Sequence, residues 1–168
     1  MRAYTVPLLL AFACPGANAF ANPASVTAPL LDASGAEHGS VRIREKGGML
    51  IGDVKATNLE PGLHGLHIHA AGRCSGDGFA DAGGHWNPQG KQHGLDNPMG
   101  AHLGDLPQLN VGANGKGRAR FMVMSTLDQL LDSDGSALVV HAKPDDGKTD
   151  PSGNSGPRLL CAALNSAH

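Results

Sequence analysis

Alternating apolar and polar residues make short β-strands the main prediction for this chain. Residues 50, 52, 54 and 56 are apolar or small, and they alternate with the mostly polar set Ile51, Asp53, Lys55 and Thr57. Side chains two positions apart in a strand point to the same face, so this period indicates a half-buried strand. A second alternation, of Ala119, Phe121 and Val123 with arginines and methionines, predicts another strand near residues 119–123.

Further strands are predicted at residues 40–45, 63–70, 137–142 and 159–164. Residues 20–39 are rich in Pro, Ala and Ser, so we expect a flexible N-terminal lead-in there and a folded domain over 40–168. A capping-box spacing at residues 125–128 allows one helical turn at most. Two connections rich in Gly, Pro and Asp, 71–107 and 143–157, are longer than a compact domain usually tolerates unless they carry function.

The composition agrees with a single domain of the all-β class. The 168 residues include 24 glycines and 11 prolines but one Trp and one Tyr, which favours turns and short strands over long helices. The formal net charge is -2 at pH 7, and no run of Lys or Arg follows the chain. Both observations argue against a nucleic-acid partner.

The first 19 residues have the pattern of a secretory signal peptide. Arg2 precedes an apolar segment at residues 6–13, and the small residues 17–19 form an A-x-A cleavage pattern. The apolar segment is shorter than the roughly 20 residues of a spanning helix, so we expect an exported protein with no membrane attachment after cleavage. A lipidated Cys14 is the alternative, although residues 11–13 fit that signal poorly.

Export changes how the cysteines are interpreted, because an oxidising compartment lets disulfides persist. Cleavage after Ala19 would remove Cys14 and leave Cys74 and Cys161, which allow a single pairing. Such a bond would close a loop of about 88 residues and stabilise the fold by about 4 to 5 kcal/mol in the chain-entropy model. Two buried free thiols are the alternative.

Histidines in two predicted strands indicate a metal site. His67 and His69 are two positions apart, so both imidazoles point to one face of their strand while Leu66 and Ile68 face the core. His141 ends another predicted strand, where a lone histidine is more often a hydrogen-bonded core residue. Imidazole nitrogens suit copper and zinc, and a site built mostly of histidines in tetragonal geometry suits Cu(II).

A second group of candidate ligands lies within the long connection 71–107. Its members supply three imidazole nitrogens and one carboxylate, and they are His85, His93, His102 and Asp105. Four protein ligands of these types form a closed, structural zinc site. The other interpretation is a polar loop that holds histidines by chance, and the Gly-Gly-His-Trp-Asn-Pro sequence at 83–88 argues instead for a defined backbone path.

Four segments of the chain resemble signature segments of the Cu/Zn superoxide dismutases. They are GLHGLHIH at 62–69, GHWNP at 84–88, HLGDL at 102–106 and GNSGPRLLC at 153–161. The resemblance runs from about residue 41 to residue 164, and the 97–107 region is similar to the exported bacterial branch. It implies an eight-stranded Greek-key β-barrel or sandwich with two long functional loops, a periplasmic location, and copper and zinc as cofactors.

Carried over residue by residue, the resemblance implies two metal sites. The copper ligands would be His67, His69, His85 and His141. The zinc ligands would be His85, His93, His102 and Asp105. His85 would then serve both metals and exchange a proton during a copper redox cycle that converts superoxide to molecular oxygen and hydrogen peroxide.

The resemblance also implies roles beside the metals. Asp145 matches a carboxylate that connects the copper ligand His67 to the zinc ligand His93, and such partners fix ring orientation. Arg158 lies three residues before Cys161 and would dock the superoxide anion through its fixed guanidinium fork. Because the chain is net acidic, attraction of the anion must be local. The candidates for steering it are Lys91, Lys143 and Lys148.

The remaining histidines are expected to be non-ligands, with His64 hydrogen-bonded in the structure and His38 and His168 exposed to solvent. The alternative function is a catalytically silent periplasmic copper- and zinc-binding module. Relatives of that kind tend to lose a ligand or the arginine, whereas this sequence keeps all the matching residues. A structural adhesion domain is a third interpretation, but it leaves the histidines without a purpose. The sequence does not distinguish a monomer from a homodimer.

Overall fold

The alternating segments form antiparallel strands of one sheet in the computed structural model, which describes residues 25–165. The strands are β1 (Ser25–Leu31), β2 (Glu37–Lys46), β3 (Met49–Ala56), β4 (Gly62–His64), β5 (Leu66–His69), β6 (Leu109–Val111), β7 (Gly117–Val123), β8 (Ser136–His141) and β9 (Arg158–Leu164). A kinked 3-10 segment covers Asp77–Ala82, and a single α-helical turn, α1, covers Leu127–Leu130.

The sheet curls into a nearly closed barrel. Its strand order is β4-β6-β7-β3-β2-β1-β9-β8-β5, so the two ends of the order, β4 and β5, are neighbours in the chain on either side of Gly65. At this point the chain changes partner, because β4 pairs with β6 whereas β5 pairs with β8. The all-β barrel is confirmed. The count is nine strands instead of eight, and the predicted strand 63–70 is divided at Gly65.

The prediction of a flexible lead-in over residues 20–39 is wrong for its described part. β1 pairs with β2 from Ser25 opposite Arg44 to Pro29 opposite Ser40. Ala28 and Leu30 point into the barrel and are 5% and 0% exposed. The high content of Pro, Ala and Ser made this alternation hard to recognise in the sequence. Pro29 is compatible with the strand because it points outward and does not disturb the core. Residues 1–24 and 166–168 lie outside the described residues. The predicted signal peptide, Cys14 and His168 therefore also lie outside them.

Inward-facing side chains of the strands fill the barrel. The largest fully buried aliphatic residues include Leu30, Ile43, Leu50, Ile68 and Leu138. Full burial of one such side chain contributes about 1.5 to 3 kcal/mol. The predicted single helical turn near residues 125–128 is present as α1, and its buried leucines join the same core. This rigid barrel is the frame on which the long connections are mounted.

Two long connections lie on the β5 and β8 side of the barrel, one between β5 and β6 and the other between β8 and β9. They contact each other, since the Asp96 N–H donates to the Gly147 carbonyl over 3.0 Å. The predicted disulfide is confirmed: Cys74 of the first connection is bonded to Cys161 of β9, with a sequence separation of 87. Among residues 25–165, none of the helices has the length and apolar character needed to cross a bilayer.

Candidate metal centre

β5 holds its two histidines between the barrel and the first connection. One edge of β5 pairs with β8, and the other is covered by loop backbone. On that covered edge, the Ile68 N–H donates to the Gly104 carbonyl over 2.8 Å, and the Ile68 carbonyl accepts from the Trp86 N–H over 2.8 Å. Ile68 is buried in the core, so His67 and His69 face the connection, as the strand period predicted.

Four imidazoles converge beside β5 and β8. They are His67, His69, His85 and His141, and we call them the all-histidine cluster. Their nearest ligand atoms all lie within 4.8 Å of one another. One nitrogen of each ring is buried and has no hydrogen-bond partner among the described residues: His67 Nδ1, His69 Nε2, His85 Nε2 and His141 Nε2. Buried polar atoms are rarely left unpaired, and four such nitrogens facing one place fit a metal ion.

Two of these rings are oriented by a backbone carbonyl through their other nitrogen. His69 Nδ1 lies 2.9 Å from the Gly83 carbonyl, and His141 Nδ1 lies 3.1 Å from the Gly156 carbonyl. A carbonyl oxygen only accepts, so both rings carry their proton on Nδ1 and keep the lone pair of Nε2 free. These rings are therefore held in the tautomer that a metal ligand requires.

Burial keeps the same rings neutral. It lowers the pKa of His69 to about 2, that of His85 to about 4 and that of His141 to about 3, and the neighbouring imidazoles of the cluster add to the effect. Only a neutral imidazole offers a lone pair to a metal. The three rings are thus available as ligands throughout the neutral pH range.

A second cluster gathers three imidazoles around one carboxylate, and we call it the mixed cluster: His85, His93, His102 and Asp105. Asp105 Oδ1 lies 2.9, 3.0 and 3.2 Å from the Nδ1 atoms of His85, His93 and His102. The Nδ1 atoms of His85 and His102 are 3.4 Å apart. Ligands about 2.0 to 2.1 Å from a tetrahedral zinc ion lie roughly 3.4 Å from each other. The donor types therefore fit zinc, and the distance between His85 and His102 matches this spacing.

Backbone and side-chain donors keep Asp105 ionised. Burial alone would raise its pKa, but the hydrogen bonds from His85, His93 and the Gly94 N–H outweigh burial and hold the pKa well below the usual range. The second carboxylate oxygen, Oδ2, accepts from the N–H groups of Gly94 and His102 over 2.9 and 3.0 Å. Asp105 is thus an oriented carboxylate with Oδ1 directed at the three imidazoles.

His85 belongs to both clusters. Its Nδ1 faces Asp105, while its Nε2 is one of the unpaired nitrogens of the all-histidine cluster. A single imidazole therefore lies between the two candidate sites, and one of its nitrogens points to each site.

Asp145 connects the clusters by a second route. Its Oδ2 lies 2.5 Å from His67 Nε2, and its Oδ1 lies 3.1 Å from His93 Nε2. Burial of His93 lowers its pKa, but the hydrogen bonds to Asp105 and Asp145 dominate and raise the pKa to about 9. The two carboxylates on either side of His93 therefore favour its protonated form when no metal is bound.

Two residues that position Asp145 were not predicted from the sequence. Gln108 holds the Asp145 backbone at both ends, donating to its carbonyl over 3.1 Å and accepting from its N–H over 3.0 Å. Gly153 has φ +61, and a Cβ there would overlap Asp145 Oδ1 and lie 2.6 Å from His93 Nε2. Gly153 stands inside a motif that the sequence did single out, whereas nothing around Gln108 indicated its contact.

Arg158 is linked to the all-histidine cluster through a shared carbonyl. Its Nη2 donates to the Gly83 oxygen over 2.7 Å, and the same oxygen accepts from His69. Its Nη1 donates to the Phe79 carbonyl, and its backbone lies opposite His141 between β8 and β9. The guanidinium is therefore held beside the cluster as a fixed, half-buried cation.

The other predicted side chains lie around this centre or away from it. Lys91, Lys143 and Lys148 are exposed. His64 is buried and bridges the carbonyls of Glu60 and His141 over 2.9 and 2.7 Å, as expected for a structural histidine. The prediction that His38 is exposed is wrong, because its side chain is only 18% accessible.

His38 is partly buried because its ring has two hydrogen-bonding partners that the sequence does not reveal. His38 Nε2 lies 2.9 Å from Asp32 Oδ2, and His38 Nδ1 lies 3.2 Å from the Thr57 carbonyl. These contacts hold the ring between Asp32 and the Thr57 backbone.

One protein family matches most of the chain. Residues 37–164 match the family described as copper/zinc superoxide dismutase (SODC). The chain belongs to this family. It is 35% identical over 154 residues to "Superoxide dismutase [Cu-Zn] 2" of Aquifex aeolicus, an alignment that covers 86% of this chain and 89% of that protein.

The name of a second relative says only that it is like a superoxide dismutase. "Superoxide dismutase-like protein YojM" of Bacillus subtilis is 46% identical over 121 residues, which cover 66% of this chain and 60% of that protein. The chain thus spans about three fifths of the length of this curated relative.

Solved structures show the same fold. A superoxide dismutase-like protein from B. subtilis superposes with a TM-score of 0.77 at 40% identity, covering 86% of this chain and 99% of the other. The Cu/Zn superoxide dismutase from Brucella abortus superposes with a TM-score of 0.72 at 31% identity, covering 84% and 99%. The solved structures therefore agree with the family match in both fold and sequence.

Proposed function

We propose that this protein converts superoxide to molecular oxygen and hydrogen peroxide at the all-histidine cluster. The observation that carries the proposal is the set of four buried ring nitrogens that face one place without a hydrogen-bond partner. They supply the nitrogen-rich, pre-oriented donor set that copper favours.

In this proposal His67, His69, His85 and His141 hold copper, and the mixed cluster holds zinc. When bound, copper supplies one-electron chemistry by changing oxidation state, whereas zinc is redox-inert and structural. Two superoxide ions and two protons then give one molecule of oxygen and one of hydrogen peroxide. Asp145 supports both sites, because its carboxylate orients a ring of each.

Two residues of the chain act on the substrate in this scheme. Arg158 attracts and orients the anion beside the all-histidine cluster, where its cation opposes the acidic net charge of the whole chain. His85 takes up a proton at Nε2 in the first half of the cycle and returns it in the second. Lys91, Lys143 and Lys148 are proposed to add local attraction from the surface.

The second candidate is a catalytically silent copper- and zinc-binding module. It is favoured by one observation, the name "superoxide dismutase-like" of the B. subtilis relative with 46% identity. It differs from the first proposal in a single measurable property, since the module binds the metals without turning over superoxide.

Metal analysis followed by an activity assay separates these functions. The purified protein is loaded with both metals, assayed for superoxide consumption, and assayed again after copper alone has been removed. We expect two metal ions per chain, activity in the loaded form, and loss of activity without copper. Activity that survives copper removal would refute the mechanism, and a fully loaded but inactive protein would establish the silent module.

Substitution of Arg158 tests the docking role. Arg158→Ala is expected to lower kcat/KM roughly tenfold or more, because local electrostatic steering raises the encounter rate by at least that factor. Both metals should remain bound, and Arg158→Lys should restore part of the rate. The matched control is Arg73→Ala, at an exposed position next to Cys74 in the connection between β5 and β6. Unchanged activity with the wild-type salt dependence would exclude this role.

Export to the periplasm is part of the same proposal, together with removal of residues 1–19. It is supported by the sequence pattern of the N-terminus and by the resemblance to the exported bacterial branch. Cell fractionation and N-terminal sequencing of the recovered protein test it. A protein recovered from the cytoplasm with its first residues intact would contradict export.

A further inference from the structure

One outer wall of the barrel concentrates positive charge that the proposed reaction does not use. Five cationic side chains surround a single carboxylate on β2, β3 and β7, and these six residues, which we call the cationic wall, are Arg42, Arg44, Lys55, Arg118, Arg120 and Asp53. The wall has a net charge of +4. The chain contains 13 Lys and Arg against 15 Asp and Glu, so the rest of it keeps eight cations against fourteen carboxylates. The charge of the molecule is therefore strongly asymmetric.

Strand pairing creates this wall from residues that are far apart in the sequence. Arg42 of β2 lies opposite Asp53 of β3, which lies opposite Arg120 of β7. Lys55 lies opposite Arg118 in the same register. Neighbouring strands are about 4.8 Å apart, and like charges directly opposite each other are unfavourable. A fold that needed only stability would not favour such a row.

The single carboxylate neutralises only part of the wall. Asp53 accepts from Arg120 over 2.8 Å and from Arg44 over 3.3 Å. Arg42, Lys55 and Arg118 are exposed, and within residues 25–165 their side chains have no ion pair. Three cations are thus available to an external anion.

Apolar side chains border the cations on the same face. Arg44, Ile51 and Met122 form one row across the paired strands β2, β3 and β7. Met122 is 68% exposed, and Met124, which follows directly after β7, is 70% exposed. Cations that contact lipid headgroups, together with apolar side chains that reach the acyl boundary, are the features of an interfacial membrane-binding surface.

Although the sequence predicts no membrane attachment after cleavage, we propose that the cationic wall docks this protein on an anionic phospholipid surface. Arg42, Lys55 and Arg118 contact the lipid phosphates, and Met122 and Met124 enter the headgroup region. A nucleic-acid strand fits the wall less well, because stacking on bases needs exposed aromatic rings. The exposed large hydrophobic residues of the described chain are leucines and methionines only.

Docking through this wall leaves the metal clusters accessible. β3 and β2 occupy the middle of the strand order, whereas β8 and β5, which carry His141 and the β5 histidines, form its end. In a nearly closed barrel these positions are on opposite sides. Membrane binding and superoxide turnover are therefore separable, and either can fail without the other.

Vesicle sedimentation tests the proposal with the full-length, metal-loaded protein. Binding is measured to phosphatidylcholine vesicles with and without phosphatidylglycerol, at several salt concentrations. The test variant is Arg42→Ser/Arg118→Ser, which removes two unpaired cations. The control variant is Lys91→Ser/Lys148→Ser, which changes the net charge equally but at the metal-bearing connections. Thermal unfolding checks that both variants are folded.

We expect wild-type binding only to vesicles that contain phosphatidylglycerol, and weaker binding as salt rises. Each cation near an anionic bilayer contributes about a fivefold factor to partitioning, so Arg42→Ser/Arg118→Ser should bind about 25-fold more weakly while keeping wild-type superoxide activity. The control should bind as the wild type does. Met122→Ser should weaken the binding that remains at high salt. Absence of wild-type binding, or equal losses in the two double variants, would overturn the proposal, as would binding to DNA or heparin but not to vesicles.

Discussion

Replacement of Asp145 by asparagine tests how far the second connection controls both candidate metal sites. The Asp145 carboxylate contacts His67 Nε2, His93 Nε2 and the Gly147 N–H, so it accepts three hydrogen bonds. Asparagine keeps the shape but has one acceptor oxygen, and its NH2 group must then face a ring N–H. At least one charge-assisted hydrogen bond is lost, which is worth about 1.5 to 3 kcal/mol.

That loss corresponds to a decrease in zinc affinity of about 10- to 100-fold, the range usual for partners of metal ligands. The assay is a competition titration of the metal-free protein against a chromophoric zinc chelator. Asp146→Asn is the matched control, because Asp146 is the adjacent carboxylate in the same loop and bonds to Thr149 and Asn154 instead of the histidines. A zinc affinity within twofold of wild type for Asp145→Asn, or an equal decrease for the control, would refute the reasoning.

Three further predictions concern space, cross-linking and pH. Gly153→Ala should reduce zinc affinity at least tenfold in the same titration, because its Cβ would overlap Asp145. The control is Gly90→Ala, which should bind zinc normally. Gly90 has the same φ of +61, and a Cβ there would have no atom of the described residues within 4 Å. Replacing both bonded cysteines by serine should lower the free energy of unfolding by about 4 kcal/mol in a urea titration, and a loss below about 1 kcal/mol would contradict the chain-entropy estimate. The metal-free protein should become less stable as the pH falls below 6.5, because the folded state keeps the pKa of His69 near 2 and that of His141 near 3, so the unfolded chain binds protons that the folded chain cannot. Unfolding free energies that stay constant between pH 6.5 and pH 4.5 would contradict this expectation.

The strand period and the motif spacing carried much of the information about the candidate site. His67 and His69 were placed correctly because a strand has a strict period of two, and Leu66 and Ile68 supplied the opposite, buried face. The mixed cluster could be recognised because its donors share one connection. His141 was weaker evidence alone, since only pairing between β5 and β8 brings it to the others.

Contacts between distant segments explain what the sequence did not predict. β1 was hidden by its composition, and β6 has only three residues, too few for a periodic pattern. The Gly83 carbonyl that joins Arg158 to His69 is a backbone group, so the residue type at this position does not predict the contact. The cationic wall has the same origin, because its arginines are close only after β2, β3 and β7 have paired.

The position of β9 in the sheet has a consequence for the order of folding. Within residues 25–165, β9 is the last strand, yet it lies between β1 and β8 and is their only link in the strand order. It also brings Arg158 and Cys161 to the barrel. Pairings between the ends of a chain form late, because they close the largest loops. A chain that lacks β9 can still pair β5 with β8, but it cannot join β8 to β1, so the barrel is completed only after residues 158–164 have been added.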